Sequence, residues 1–265
     1  MQASLSKSSR SSCDLIINVV QLGTVSYALG LKLQAELVAA RKQGQISDTL
    51  LLLEHTPVIT LGRNAKQRHL LASAEQLAAR GVELFECDRG GDVTFHGPGQ
   101  LVGYPIFDLF GYTPRIGAVE FMRRIEEVLI RTCADFGIAG QRVPGLTGVW
   151  TRSEPQRKIA AIGVHISRGV TSHGFALNVN TDLDYFDLIV PCGISGKSVT
   201  SIKRELSAPQ PIEKVAESAA RHFGAVFDSQ VLWVETVDQL LGRSVGVPLQ
   251  RPAELNAQTD RVELA

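Results

Sequence analysis

A run of glycines with an arginine and a histidine occupies residues 89–104, RGGDVTFHGPGQLVGY, between two strand-like patterns. Glycine lets a backbone approach a ligand closely, and Arg89 and His96 add hydrogen-bond donors. Two ordinary turns around a hairpin account equally well for this composition. The stretch contains neither GxGxxG nor GxxxxGK[ST], the patterns that bind nucleotide phosphates. It is therefore a candidate binding loop, but it does not indicate a nucleotide.

One of the four cysteines stands where a reactive thiol is expected. Cys192 follows an apolar run in the sequence Pro-Cys-Gly, where a strand gives way to a loop and a thiol can be reached by substrate. Cys133 in a helical pattern and Cys87 on a strand occupy ordinary positions for small buried side chains, and Cys13 lies near the N-terminus. The spacing indicates neither a zinc site nor disulfides, which fits a reducing cytoplasm. Cys192 is thus a candidate nucleophile, with an unreactive buried loop cysteine as the alternative.

A cysteine nucleophile reacts as its thiolate and needs a base or a cation beside it. Lys158 opens the apolar strand KIAAIGVHI, and burial there would lower the pKa of its amine. A solvated lysine at the start of a strand is the alternative interpretation. Spacing does not choose between Lys158 and the six histidines, which are His55, His69, His96, His165, His173 and His222.

Composition excludes several classes of protein. The 265 residues are 44% apolar and 20% charged, which is typical of a globular chain. Lys plus Arg and Asp plus Glu both number 27, so no overall positive field favours nucleic-acid binding. No apolar run approaches the ~20 residues that cross a bilayer. We therefore expect no nucleic-acid or membrane partner, and we interpret the Ser-rich residues 1–13 as a disordered leader.

Periodicity predicts the elements that position these residues. Helices are predicted over residues 25–43, 116–136 and 212–227, with apolar stripes at Leu29, Leu33 and Leu37 in the first and at Val119, Met122, Ile125 and Leu129 in the second. Strands are predicted over residues 49–55, 58–62, 82–87, 92–95, 101–109, 148–151, 158–167 and 170–179. The last two strands are joined by a tight turn at Arg168-Gly169. Since strands and helices alternate irregularly, we predict one α+β domain, a mixed β-sheet flanked by helices, rather than a Rossmann fold.

Three segments resemble, in order, the motifs of the lipoyl (octanoyl) transferase family, the octanoyltransferases of lipoate biosynthesis. They are residues 89–105 (RGGDVTFHGPGQLVGYP), 158–183 (KIAAIGVHISRGVTSHGFALNVNTDL) and 189–202 (IVPCGISGKSVTSI), and LEHTPVITLGR at residues 53–63 agrees. The resemblance covers roughly residues 14–230, which would form the catalytic domain, and leaves 231–265 as a C-terminal helix and surface tail. It implies the mixed-sheet fold of the biotin and lipoate protein ligase catalytic domain.

The resemblance also implies an activity. The enzyme would transfer octanoyl from acyl carrier protein to a lysine of lipoyl domains through a thioester on Cys192, with Lys158 lowering the pKa of the thiol or acting as general base. The acceptors implied are the lipoyl domains of 2-oxoacid dehydrogenases and the glycine cleavage H protein. No cofactor or metal is implied, and we expect a cytoplasmic monomer. The residues implied to line the acyl pocket are Arg89, Gly90, Gly91, Asp92, Val93, Thr94, Phe95, His96, Ala161, Ile162, Gly163, Gly174, Phe175 and Ala176.

Two further expectations concern the substrates. An eight-carbon chain needs a narrow apolar slot, and small residues on adjacent strands would leave room for it, so that Gly174→Leu should shorten the preferred chain. Because acyl carrier proteins are acidic, a basic rim is expected among Arg63, Lys66, Arg68, Lys197, Lys203 and Arg204, although each could simply solubilise the surface.

Three other functions compete with this interpretation. An ATP-dependent lipoate or biotin ligase would share the fold and would need no cysteine nucleophile. A non-catalytic domain that binds lipoyl proteins or acyl chains would be insensitive to Cys192→Ala. A cysteine hydrolase would have to admit water where the transferase excludes it.

Overall fold

A computed structural model describes residues 15–190 and 198–245 of the chain. The predicted leader, Cys13, Cys192, Lys197 and the tail beyond residue 245 lie outside the described residues. The strands are β1 (Ile16–Val25), β2 (Asp48–His55), β3 (Val58–Leu61), β4 (Glu83–Glu86), β5 (Val93–His96), β6 (Gln100–Ile106), β7 (Gly140–Val143), β8 (Leu146–Thr151), β9 (Lys158–Ser167), β10 (Val170–Asn178) and β11 (Gln230–Trp233). The helices are α1 (Tyr27–Lys42), α2 (Ala74–Ala79), α3 (Ala118–Asp135), α4 (Ile202–Leu206), α5 (Ile212–Phe227) and α6 (Val237–Leu241), with 3-10 helices at Gln67–His69 and Leu183–Leu188.

The strands form two mixed sheets. The larger has eight strands in the order β11-β1-β2-β6-β10-β9-β8-β7, and the smaller has three in the order β4-β3-β5. Strand β1 runs parallel to both β2 and β11, whereas β6 is antiparallel to β2 and β10. Helices α3 and α5 cover one face of the large sheet through Phe121 and Phe223, and α1 covers the other through Leu33 and Leu37. The predicted α+β fold with a mixed sheet is confirmed.

Local expectations are met where the periodicity is strong. The β9–β10 hairpin turns at Arg168 and Gly169, both with positive φ, as the sequence predicts. Helix α1 begins at Tyr27, after Ser26, whose side chain accepts a hydrogen bond from the amide of Leu29. The expected helix start at Val25 was wrong, because this residue ends β1, a strand that the sequence did not reveal.

The buried stripe of α3 also differs from the prediction. Val119 is 75% exposed, whereas Phe121, Ile125 and Leu129 are fully buried. These three residues follow the four-residue spacing of one helix face, and Val119 lies off that face in the first turn. The prediction that Val119 belongs to the buried stripe was therefore wrong.

The two sheets meet at the motif segments. Strand β10 lies between β6 and β9 in the large sheet, and the loop before β5 of the small sheet reaches β9. The contact is a hydrogen bond from the Gly90 amide to the Val164 carbonyl, 3.0 Å long. This junction brings the first two motif segments together.

Candidate active site

A cavity of about 250 Å³ lies at the junction of the two sheets. All the predicted pocket residues except Gly90 and Phe95 line it: Arg89, Gly91, Asp92, Val93, Thr94, His96, Ala161, Ile162, Gly163, Gly174, Phe175 and Ala176. Lys158 lines it as well. The cavity is also lined by Val102, Tyr104 and His173, which lie in the motif segments, and by Tyr27, Gly145, Leu146 and Thr147, which the sequence did not indicate. Tyr27 comes from the first turn of α1, far from every motif, so no spacing could have identified it.

Gly90 and Phe95 act beside the cavity. The Gly90 amide bonds to β9, and the Phe95 ring stacks on Tyr185 with the centroids 4.6 Å apart. Phe95 thereby belongs to an apolar cluster under the small sheet. Both residues hold the loop in position through contacts outside the cavity, and neither is among the residues that form the cavity wall.

The glycines of the wall allow backbones to approach each other. A Cβ atom on Gly163 would lie 2.6 Å from the Gly90 carbonyl oxygen, and one on Gly174 would lie 2.1 Å from the Gly103 carbonyl oxygen. A larger side chain at Gly174 would therefore collide with backbone instead of filling the slot, so Gly174→Leu is a poor test of slot length. Ala161 and Ala176 are partners across β9 and β10, and they offer the better positions for narrowing the cavity.

The Arg89 side chain forms hydrogen bonds with the backbone and side chains around the glycine-rich loop. Its guanidinium is buried and donates to the Thr60 carbonyl at 2.7 Å, to the Thr60 hydroxyl at 2.9 and 3.1 Å, and to the Gly90 carbonyl at 3.1 Å. These bonds join the glycine-rich loop to β3. Arg89 therefore contributes to the cavity mainly by holding the shape of the loop.

Two buried histidines near the cavity are neutral. The Nδ1 of His55 donates to the Val25 carbonyl at 3.0 Å, which leaves its Nε2 to accept from the Tyr104 hydroxyl at 2.6 Å. Burial lowers the pKa of His55 to about 4. Burial also lowers the pKa of His96 to about 3. Neither can serve as a cation that stabilises a thiolate near neutral pH.

The tautomer of His96 follows from its neighbours. The amide nitrogen of Gln100 donates to the Phe95 carbonyl and to the Asn178 side chain, so its oxygen faces the ring and accepts from His96 Nδ1 at 2.7 Å. The Nε2 of His96 is then an unprotonated acceptor. His96 can receive a hydrogen bond from a ligand but has no proton of its own to give from that atom.

Lys158 supplies a buried amine to the cavity wall. The residue is only 8% exposed, and its Nζ lies 5.4 Å from the centroid of the Trp150 ring, a cation–π distance. Its backbone amide donates to the Ser198 carbonyl at 3.0 Å, and its carbonyl accepts from the Thr200 amide at 2.9 Å. The start of β9 is thus bonded on both sides to the segment that follows residue 197.

Residues that flank the cysteine segment are anchored beside the cavity. The Val190 amide donates to the His69 carbonyl at 2.8 Å, and His69 Nδ1 bonds at 2.5 Å to Asp92, a residue of the cavity wall. At the other end, Glu205 joins Thr200 and Arg157, the residue before Lys158, through bonds of 2.5 and 3.0 Å. Cys192 itself lies outside the described residues, between these two anchors in sequence.

Neither a metal nor a membrane site emerges from the described part of the chain. Within residues 15–190 and 198–245, no group of three or more His, Cys, Asp or Glu side chains is placed to hold a metal ion. Over the same residues, every helix is too short or too polar to span a bilayer.

Comparisons with known proteins identify the family and the fold of the chain. Residues 26–224 match the family model described as the lipoyl protein ligase A/B catalytic domain. An octanoyltransferase of Koribacter versatilis is 63% identical over 91% of this chain and 96% of its own, and one of Acidobacterium capsulatum is 60% identical over 86% and 96%. A putative lipoate protein ligase from Thermoplasma acidophilum with bound lipoic acid has a TM-score of 0.67 at 14% identity, covering 86% of this chain and 94% of its own, which shows the shared fold. The chain belongs to the lipoyl protein ligase A/B catalytic domain family.

Proposed function

We propose that this chain is an octanoyltransferase that moves an octanoyl group from acyl carrier protein to the lysine of a lipoyl domain through a thioester on Cys192. The observation that carries the proposal is the cavity at the junction of the two sheets, with the Lys158 amine in its wall. The octanoyltransferase relatives, at 63% and 60% identity, support the same activity.

The cavity has the size that an acyl chain needs. A protein cavity of ~150 Å³ accepts a six-carbon ring, so about 250 Å³ accommodates eight carbons. Burying about seven methylene or methyl groups at ~0.8 kcal/mol each contributes roughly 5 kcal/mol to acyl binding before ordering costs. Val102, Ala161 and Ala176 supply apolar wall for this contact.

In the first half-reaction the Cys192 thiol loses its proton and the thiolate attacks the thioester carbonyl of the donor. The carrier sulfur leaves and takes up that proton, so the carrier is released as a free thiol. The thiolate needs a proton acceptor or a cation close to it. Burial lowers the pKa values of His55, His96 and His173, so Lys158 is the better candidate for this role. The two thioesters are similar in energy, and the acyl enzyme remains able to react onward.

In the second half-reaction the acceptor lysine attacks the octanoyl thioester as a neutral amine. Lys158 accepts the proton that the amine loses and passes it to the departing Cys192 sulfur, which regenerates the thiol as the amide forms. The acceptors proposed are the lipoyl domains of 2-oxoacid dehydrogenases and the glycine cleavage H protein. The mechanism uses no cofactor or metal, and we propose a monomer in the cytoplasm.

An acidic carrier would approach along basic residues next to the cavity. Arg63 and Lys66 line a depression that also includes Gly62 and Cys87. A Cβ on Gly62 would lie 2.7 Å from the Arg89 guanidinium, so this depression adjoins the wall of the cavity. The expected roles of Arg68, Lys203 and Arg204 stay predictions.

A transfer assay separates this function from the ATP-dependent ligase on the same fold. Purified enzyme is incubated with a lipoyl domain and either octanoyl acyl carrier protein without ATP, or free octanoate with ATP. Octanoylation in the first mixture alone supports the transferase. Octanoylation only in the second mixture would replace the proposal with the ligase.

A further inference from the structure

Glu126 is a buried carboxylate that the proposed mechanism does not use. It lies on α3 with its side chain 1% exposed, and its two oxygens have different partners. Oε2 accepts from Arg123 at 2.7 Å and from Arg142 at 3.1 Å, whereas Oε1 accepts from the backbone amide of Gly148 at 3.1 Å. A buried charge is costly unless every partner is in place, and this one is held by three donors.

Gly148 connects this carboxylate to the active-site amine. The residue lies in β8 with φ at +119°, a conformation that side chains rarely adopt. A Cβ atom there would lie 2.7 Å from Cε of Lys158 and 2.5 Å from the Ala160 carbonyl oxygen. The Gly148 backbone is therefore the surface against which the end of the Lys158 side chain packs.

Strand β8 makes a second contact with the Lys158 side chain. Its Nζ lies over the Trp150 ring, and Trp150 belongs to the same strand as Gly148. A shift of β8 at Gly148 would move both surfaces that define where the amine lies. The preceding residues of this segment, Gly145 to Thr147, line the cavity as well.

We infer that Glu126 is a positioning residue for Lys158: its hydrogen bond to the Gly148 amide holds the backbone that packs against the lysine, and so sets the place of the amine in the cavity. This inference rests on the proposed role of Lys158 in the transfer reaction. The carboxylate acts through Gly148 and does not touch the substrate.

The neighbouring Glu127 offers a matched control. It also bonds Arg142, at 2.8 Å, but its other partner is Arg131 on the surface. Glu126→Met keeps the length of the side chain and removes the acceptor, Glu126→Gln keeps an oxygen for the Gly148 amide, and Glu127→Met removes only surface ion pairs. Arg123 and Arg142 are 49% and 36% exposed, so both can return to water when Glu126 is replaced.

The experiment measures kcat and KM for octanoyl carrier, together with the melting temperature, for each variant. Glu126→Met should lower kcat about tenfold with KM within about twofold, while Glu126→Gln recovers most of kcat and Glu127→Met matches the wild type. A Glu126→Met enzyme with wild-type kcat would overturn the inference. So would equal losses in Glu126→Met and Glu127→Met.

A double-mutant cycle separates this inference from the proposed function. If Lys158→Ala retains measurable transfer, adding Glu126→Met to that variant should not lower kcat further, because the effect of Glu126 passes through the lysine. A full additional loss would overturn the positioning role, and wild-type activity in Lys158→Ala would instead refute the proposed role of Lys158.

If Glu126→Met does not fold, a pair of glycine variants tests the contact between Gly148 and Lys158 through which Glu126 would act. Gly148→Ala and Gly137→Ala both place a side chain at positive φ, but Gly137 has open space around it. Folded Gly148→Ala enzyme should have a kcat at least about tenfold below that of the wild type. Gly137→Ala should lower the melting temperature but leave kcat unchanged. Equal kcat in both folded variants would overturn the inference.

Discussion

Narrowing the slot at Ala161 should shift acyl-chain preference without abolishing catalysis. Ala161 lines the cavity on β9, opposite Ala176 on β10, and Ala161→Leu adds three carbons to this wall. Excluding about three methylenes of the octanoyl chain at ~0.8 kcal/mol each removes roughly 2 to 3 kcal/mol of binding, or about 50-fold in kcat/KM.

The assay compares kcat/KM for octanoyl, hexanoyl and butanoyl carrier in wild type, Ala161→Leu and Ala134→Leu. Ala134 is exposed on α3 and serves as the control for a general effect of leucine. Ala161→Leu should lose octanoyl activity while butanoyl activity stays within about threefold. An equal loss on all three donors, or no loss on octanoyl, would refute the assignment of the cavity as the acyl slot.

Three further outcomes are expected. Tyr104→Phe removes the partner of the buried His55 Nε2 and should destabilise the fold by about 1 to 3 kcal/mol, measured by urea unfolding, and an unchanged midpoint would contradict that bond. Burial lowers the folded-state pKa values of His55 and His96 to about 4 and about 3, so the unfolded state binds more protons below pH ~6.5. The free energy of unfolding should therefore fall as the pH drops from 6.5 toward 4, by up to about 1.4 kcal/mol per pH unit for each histidine. A melting temperature that does not change between pH 6.5 and pH 4.5 would contradict the buried neutral state. Transfer from acyl carrier protein should slow as salt rises, more in the wild type than in a variant with Arg63 and Lys66 replaced by Gln, and identical salt profiles would count against the basic approach surface.

The parts of the fold that periodicity determines were predictable. Helices α3 and α5 and the β9–β10 hairpin follow from strong apolar spacing and a turn at Arg168-Gly169. Strand β1 was missed because it runs directly into α1 at Ser26, where a strand-like pattern and a helical pattern overlap. Strands β7 (GQRV) and β11 (QVLW) were missed because neither sequence alternates apolar and polar residues.

Some residues of the site could be predicted from sequence motifs, and others could not. The motif segments indicated the loop before β5 and the paired strands β9 and β10, because their glycines and small residues are unusual in sequence. Tyr27 and the turn at Gly145 reach the cavity through tertiary packing, which no local pattern encodes. Sequence spacing also could not reveal that the Arg89 guanidinium donates its hydrogen bonds to Thr60, because this contact depends on β3 lying beside the loop.

The role of Glu126 illustrates why positioning residues escape sequence reasoning. On α3 it follows Arg123 and precedes Glu127 in what looks like an ordinary charged helix face. Only the approach of Gly148 from β8 converts one of these carboxylates into a buried anchor. The sequence contains both residues, but their contact spans 22 positions.

The proposed transfer requires an acyl enzyme at Cys192, and intact-protein mass spectrometry tests for it directly. The enzyme is mixed with octanoyl acyl carrier protein without an acceptor, and wild type is compared with Cys192→Ala and Lys158→Ala. We expect an octanoyl adduct on the wild type that a lipoyl domain discharges, no adduct on Cys192→Ala, and slow adduct formation on Lys158→Ala. An adduct that persists in Cys192→Ala, or transfer to a lipoyl domain with no adduct on the wild type, would contradict this mechanism.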